Sequence, residues 1–177
     1  MNLNSIDFSK KTIADLYKNS LVEFNEVDAD SELKTNKVQL KFLGENKKHV
    51  LAVVNYADAV HIPDMQLVFL TNLLSACKLT LADTAVFNFY PFSGPDNLDA
   101  DERSKLFNNI ISFFKPKTVL LFGTEPADFG MPLLFPQFQI QSHNNSTFLF
   151  TPNLQEMEHD KSLKAKLWIC LKKIFSL

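Results

Sequence analysis

Two rhythms of apolar residues alternate along the chain. His49 to Val54, Thr84 to Phe89 and Val119 to Phe122 are short, nearly continuous apolar runs, the pattern of strands buried on both faces. Between them, Leu67, Leu70, Leu74 and Cys77, then Leu106, Phe107, Ile110, Ile111 and Phe114, recur at helical intervals. Phe138 to Ile140 and Thr147 to Phe150 predict two more short strands, and Leu163, Leu167, Cys170, Leu171 and Ile174 predict a closing amphipathic helix.

Turn chemistry punctuates these runs. Val38 to Phe42 alternates apolar with polar, and Gly44-Glu45-Asn46-Lys47 follows, which together predict a hairpin entering a central strand. Pro63 suits a helix start, where its missing N–H is harmless, and that helix is expected to end near Lys78. Asp99 and Glu102 have capping-box spacing, Lys115-Pro116 stops the second helix, and Tyr90 to Pro95 reads as a loop. Strands alternating with helices predict an α/β fold, a three-layer α/β/α sandwich around a mainly parallel central sheet.

The leading segment follows neither rhythm closely. Phe8, Ile13, Leu16 and Tyr17 stand at loose helical spacing, and residues 23–37 are acidic and polar. Residues 1–37 are therefore expected to be a helix and an acidic connector packed on or flanking a single domain over 38–177. No repeat or second domain interrupts it.

Composition narrows the function classes. At 177 residues and 46% apolar content the chain can bury a substantial core. A net charge of −2, with Arg103 the single arginine among 18 basic residues, gives no overall pull towards polyanions, although a local lysine patch escapes such a count. Cys77 and Cys170 fall in apolar helical patterns and are expected as buried thiols. The N-terminal residues lack the charged start and apolar run of a signal peptide, and no apolar stretch reaches membrane-span length, so a cytoplasmic protein is expected. With four glycines there is no Gly-x-Gly-x-x-Gly fingerprint and no phosphate loop, and none of His49, His61, His143 and His159 pairs with another ligand at metal spacing. Neither a cofactor nor a metal is expected.

Candidate chemistry gathers at strand ends, where open α/β sheets hold their ligands. The segments are Asn55-Tyr56-Ala57-Asp58, Asn88-Phe89-Tyr90, Gly123-Thr124-Glu125 and Thr151-Pro152-Asn153-Leu154. Turn preference alone accounts for many of these residue types. A functional reading gives them a shared pocket of Tyr56, Asn88, Tyr90, Gly123, Thr124 and Asn153.

Taken in order, the segments resemble the uracil-DNA glycosylase superfamily. The likeness runs from about His49 to Phe175 through Phe69 to Leu79, Asp83-Thr84-Ala85-Val86-Phe87-Asn88, Lys115-Pro116-Lys117, the strand ending at Gly123, and Thr151-Pro152 before a helix containing Trp168. It implies a glycosylase-like fold in which Asn88 stands where that family reads the edge of a flipped base. Asp58 or Asn55 would handle water, and Thr151 or Asn153 would support the departing base. The sequence departs from the family at each loop. Asn55 to Ala59 has no glycine, Thr151 replaces the imidazole of a His-Pro-Ser type loop, and Leu154, which is either a DNA wedge or a packing residue, precedes acidic Glu156, Glu158 and Asp160.

The resemblance thus implies a degenerate member, expected to be a non-catalytic protein-interaction or scaffold subunit linked to DNA replication or repair. Its situation resembles that of the psi subunit of bacterial DNA polymerase III, a glycosylase fold without the active site. Under that reading the partner is a protein and Phe8 to Tyr17 either binds it or packs on the domain. The alternatives are a divergent DNA glycosylase, which would bind DNA, and a small-ligand domain using the same pocket.

Overall fold

The computed structural model describes residues 41–90, 98–129 and 136–177. The segments 8–17 and 23–37 and most of the Tyr90 to Pro95 loop lie outside the described residues. A six-stranded mixed sheet runs in the order β1-β3-β2-β4-β6-β5. The strands are β1 (Phe42–Gly44), β2 (Val50–Val54), β3 (Thr84–Asn88), β4 (Thr118–Phe122), β5 (Ile140–His143) and β6 (Ser146–Thr151). The four central strands are parallel, whereas β1 and β5 lie antiparallel at the two edges.

The continuous apolar runs are explained by burial on two faces. Val50, Ala52 and Val54 of β2 join Val86, Leu120, Phe122 and Leu149 in one cluster. Helices α1 (Asp64–Ala76), α3 (Leu154–His159) and α4 (Lys161–Phe175) supply Leu70, Leu74, Leu154, Met157, Leu167, Cys170 and Leu171 to it. The intervening Leu51 and Val53 join Ala85, Phe87, Val119, Leu121, Phe148 and Phe150 in a second cluster, closed by Leu106, Phe107, Ile110 and Phe114 of α2 (Ala100–Phe114). Side chains of a strand alternate between faces, so a strand covered on both faces is apolar through its centre. Both cysteines are free and buried.

Helix ends follow the chemistry in the sequence. Pro63 is the N-cap of α1, and Asp64 puts a carboxylate in its first turn. Asp99 accepts from the Glu102 amide at 2.7 Å while the Glu102 carboxylate accepts from the Asp99 amide at 3.0 Å, a full capping box on α2. Lys115 ends α2 in the left-handed conformation before Pro116. Helix α3 has no counterpart in the sequence reading, because six residues make fewer than two turns and leave little periodicity. Asn153 caps it by accepting from the Glu156 amide at 2.8 Å.

The predicted hairpin is corrected. β1 does not pair with β2, its neighbour in sequence; it pairs with β3, Phe42 opposite Phe87 and Gly44 opposite Ala85. The chain between them crosses the start of β3, with the amides of Asn46, Lys47 and Lys48 donating to the carbonyls of Thr84, Ala82 and Asp83 at 3.0, 3.1 and 3.0 Å. These bonds replace the ladder of a two-stranded turn. Asn46 also donates to the Phe114 carbonyl at 2.8 Å, tying the crossing to the end of α2.

The strand expected at Phe138 to Ile140 is shifted. Phe138 has a left-handed backbone (φ 59°) and lies in a turn, and β5 begins at Ile140. Asn144 and Asn145, both left-handed (φ 47° and 63°), form the two-residue turn into β6.

Gly44 makes the crossing possible. Its φ is 100°, and a Cβ there would stand 2.2 Å from the Thr84 carbonyl oxygen and 2.6 Å from that of Leu81. Both are backbone atoms and cannot rotate away. Gly44→Ala is expected to destabilise the domain by on the order of 3 kcal/mol, read as a lower urea midpoint. An unchanged midpoint would show that the crossing is not rigid.

Candidate functional site

The four parallel strands end together. β2 runs out at Val54 beside Asn88, the last residue of β3, and β4 runs out at Phe122 beside Thr151, the last residue of β6. From β2 the chain moves to β3 on one side and then to β4 on the other, so the order reverses between β2 and β4. Crevices at such points are the usual ligand sites of open α/β sheets. Asn55-Tyr56, Asn88, Gly123-Thr124 and Thr151-Pro152-Asn153 all stand at this carboxyl edge.

Asn88 is buried at 3% exposure, and its amide is fully engaged within the fold. Its Oδ1 accepts from the amides of Tyr56 at 3.0 Å and Tyr90 at 3.2 Å. Its Nδ2 donates to the carbonyls of Tyr56 at 2.9 Å and Ala59 at 2.6 Å. A primary amide has two N–H groups and two carbonyl lone pairs, and all four are used. Asn88 therefore ties the loops after β2 and β3 together, and its amide edge faces the protein's own backbone.

The neighbouring groups are similarly committed. The Thr151 hydroxyl is buried between the Leu121 carbonyl at 3.3 Å and the Pro152 carbonyl at 3.1 Å. Gly123 adopts φ 68°, donates to the Thr151 carbonyl at 3.0 Å, and would place a Cβ 2.7 Å from Cβ of Asn153. Asn153 itself is occupied in capping α3. Gly123 is therefore required by close packing of the β4 loop on the start of α3.

Apolar side chains fill the edge on both sides. A 3-10 turn, Pro126–Phe129, follows β4 and seats Phe129 against Phe89 and Phe107, with ring centroids 4.4 and 4.2 Å away. On the other face Leu154 is fully buried among Val54, Phe122 and Met157. Of the two readings for Leu154, packing is the one observed. Phe129 was not a candidate from sequence; the signal for its turn was Asp128, whose carboxylate accepts from the Glu125 amide at 2.8 Å.

Among the described residues of this edge, the buried hydroxyls of Tyr56 and Thr124 are without partners at hydrogen-bond geometry. Burial pushes the Tyr56 phenol up to about 12, opposed by the nearby backbone amides of Gln155 and Leu154 at the start of α3. Tyr90, in contrast, is largely exposed. Asn55 is partly buried. Asp58 is exposed and lines an open groove of about 500 Å³ with Leu43, Ala59, His61, Ile62 and Leu67. None of the carboxyl-edge residues Asn88, Gly123, Thr124 or Thr151 lines that groove. Among the described residues no group of three or more His, Cys, Asp or Glu side chains is placed to hold a metal ion.

Asn88→Asp would keep the two accepted bonds and lose both donated ones, leaving the Tyr56 and Ala59 carbonyls facing a carboxylate. It is expected to cost on the order of 3 kcal/mol and to speed amide hydrogen exchange at 55–60 more than in β4 and β6. Equal acceleration everywhere would show that Asn88 does not act locally. For Tyr56, the neutral phenol stabilises the fold fully below pH 10.0, the ordinary value, and that contribution is lost as pH rises from 10.0 towards about 12. Tyr56→Phe should flatten the fall in denaturation midpoint across that window; a variant with the same alkaline slope would assign the loss to another group.

No protein-family model matches the chain, and no curated protein matches it.

Proposed function

We propose that the chain is a catalytically silent domain of glycosylase-like, three-layer α/β/α architecture that acts as a protein-interaction or scaffold subunit in DNA replication or repair. The observation that carries the reading is the Asn88 amide, whose four hydrogen-bonding positions are all taken by the backbone of residues 56–90. A base reader must present a free donor and acceptor to the flipped base. Here that exchange would first break four internal bonds.

The surroundings agree with it. Phe129 and Leu154 occupy the two sides of the edge, and Thr151 offers a buried hydroxyl in place of an imidazole that would hold a developing anion. The link to replication or repair rests on the order of strand-end motifs, and on the parallel strands following β3-β2-β4-β6. A second reading, a small polar ligand held at the edge, is favoured by one specific observation: the unpartnered buried hydroxyls of Tyr56 and Thr124.

Purified full-length protein incubated with single- and double-stranded DNA carrying uracil, hypoxanthine or a mismatch should release no base. Excision abolished by Asn88→Asp in protein that remains folded would overturn the proposal in favour of a divergent glycosylase. Enrichment of one protein partner at fixed stoichiometry in crosslinked complexes is the positive outcome. A small molecule that co-purifies and is lost from a Tyr56→Phe, Thr124→Val double variant would instead establish the second reading.

A further inference from the structure

Most of the large apolar side chains left exposed among the described residues fall on two surfaces of opposite charge. The first is the rim of the open groove: Val60 on its wall and, on the adjoining turns of α1, Val68 and Met65, the latter 67% exposed. Asp58 and Asp64 flank these side chains. Lys41 lies near enough to His61 to oppose its protonation, and with two carboxylates against it the border stays net acidic. The second surface is the outer face of α4, where Ile169 is 53% and Trp168 37% exposed. Lys161, Lys166, Lys172 and Lys173 are exposed around them, and residues 161–177 contain no Asp or Glu. Lys164 is occupied by the Glu158 carbonyl at 3.0 Å.

The two surfaces share a plan, apolar side chains flanked by charge. On α4, Lys161, Ala165, Trp168 and Lys172 follow at spacings of four, three and four residues and so form one stripe, with Ile169 and Lys173 alongside. Neither the two carboxylates nor the four exposed lysines form an ion pair with another described residue. Exposed charge pairs add little affinity but fix orientation, and apolar contact supplies the rest. Both surfaces also belong to one helical layer. Leu70 and Leu74 of α1 and Leu167, Cys170 and Leu171 of α4 enter the same core cluster, and α3 packs against both helices. Their outer faces therefore lie on the same side of the sheet. Two copies that meet through this layer about a two-fold axis place each α4 against the other's groove, so both contacts form at once.

We propose that the chain pairs with a second copy of itself through this layer. Trp168 and Ile169 of each copy cover Val60, Met65 and Val68 of the other, while Lys161 and Lys172 face Asp58 and Asp64. The contact is reciprocal and closed, so association stops at the dimer. Both exposed apolar surfaces are then covered by one interaction. The pairing does not depend on the silent-domain reading, since an active glycosylase could dimerise through the same helices and base release plays no part in measuring it.

Sedimentation of the full chain tests it. Mass should rise from monomer to dimer across the micromolar range and no further. Trp168 is the single tryptophan of the chain, so its emission reads the contact directly: it should move to shorter wavelength and lose access to iodide over the same concentrations. Lys161→Glu with Lys172→Glu should weaken pairing at least about tenfold, and Asp58→Lys with Asp64→Lys by a similar factor. An equimolar mixture of these two variants should pair about as tightly as the natural chain, because both contacts again join opposite charges. Damage to folding could not produce that recovery. A monomer at every concentration would overturn the proposal. So would a mixture that pairs no better than its components, growth beyond the dimer, or a dimer in which Trp168 stays open to iodide.

Discussion

The Asn88 side chain is the point on which the carboxyl edge depends. Without its two donated and two accepted bonds, three backbone groups of the loop from Tyr56 to Ala59 and the Tyr90 amide would lose their partner, at about 1 to 3 kcal/mol for each left unsatisfied. With them, the loop is held at Tyr56 and Ala59, a few residues before Pro63 opens α1. The register of Val54 with Asn88 places the amide directly against the loop it holds. One amide at one strand end thus joins the two loops that follow β2 and β3.

The same economy bears on what the edge can offer a ligand. A side chain that recognises a ligand has to be held by neighbours yet left with unpaired valence, whereas here the holding and the held are the same groups. Thr151 and Asn153 repeat the pattern, each spending its polar atoms on the adjoining backbone. What remains unpaired at the edge is a pair of hydroxyls, Tyr56 and Thr124, which are neutral at ordinary pH and weak as acids.

The parts of the fold that periodicity controls were legible in the sequence. The doubly buried strands β2, β3 and β4 are runs with no polar interruption, and α2 announces both its ends with Asp99, Glu102 and Pro116. What could not be read was pairing between segments distant in sequence. Gly44 to Lys47 has turn composition whether β1 folds back on β2 or crosses to β3, and the carbonyls of Ala82, Asp83 and Thr84 that decide it lie some forty residues on. The candidate site divides the same way. That Asn88, Gly123 and Thr151 share an edge followed from strand order, but whether an amide points to a ligand or to its own loop is a matter of ångströms no spacing encodes.

The antiparallel strands at the two margins of the sheet bear on how this domain can meet another protein. β1 has three residues and β5 four, the latter turned back sharply by Asn144 and Asn145. Among the described residues, margins so short offer an incoming peptide few main-chain groups on which to extend the ladder, a feature that protects sheets against edge-to-edge aggregation. A protein that bound this domain would find helices and loops in place of a long open strand, and their side chains can change without disturbing the hydrogen-bonded frame beneath.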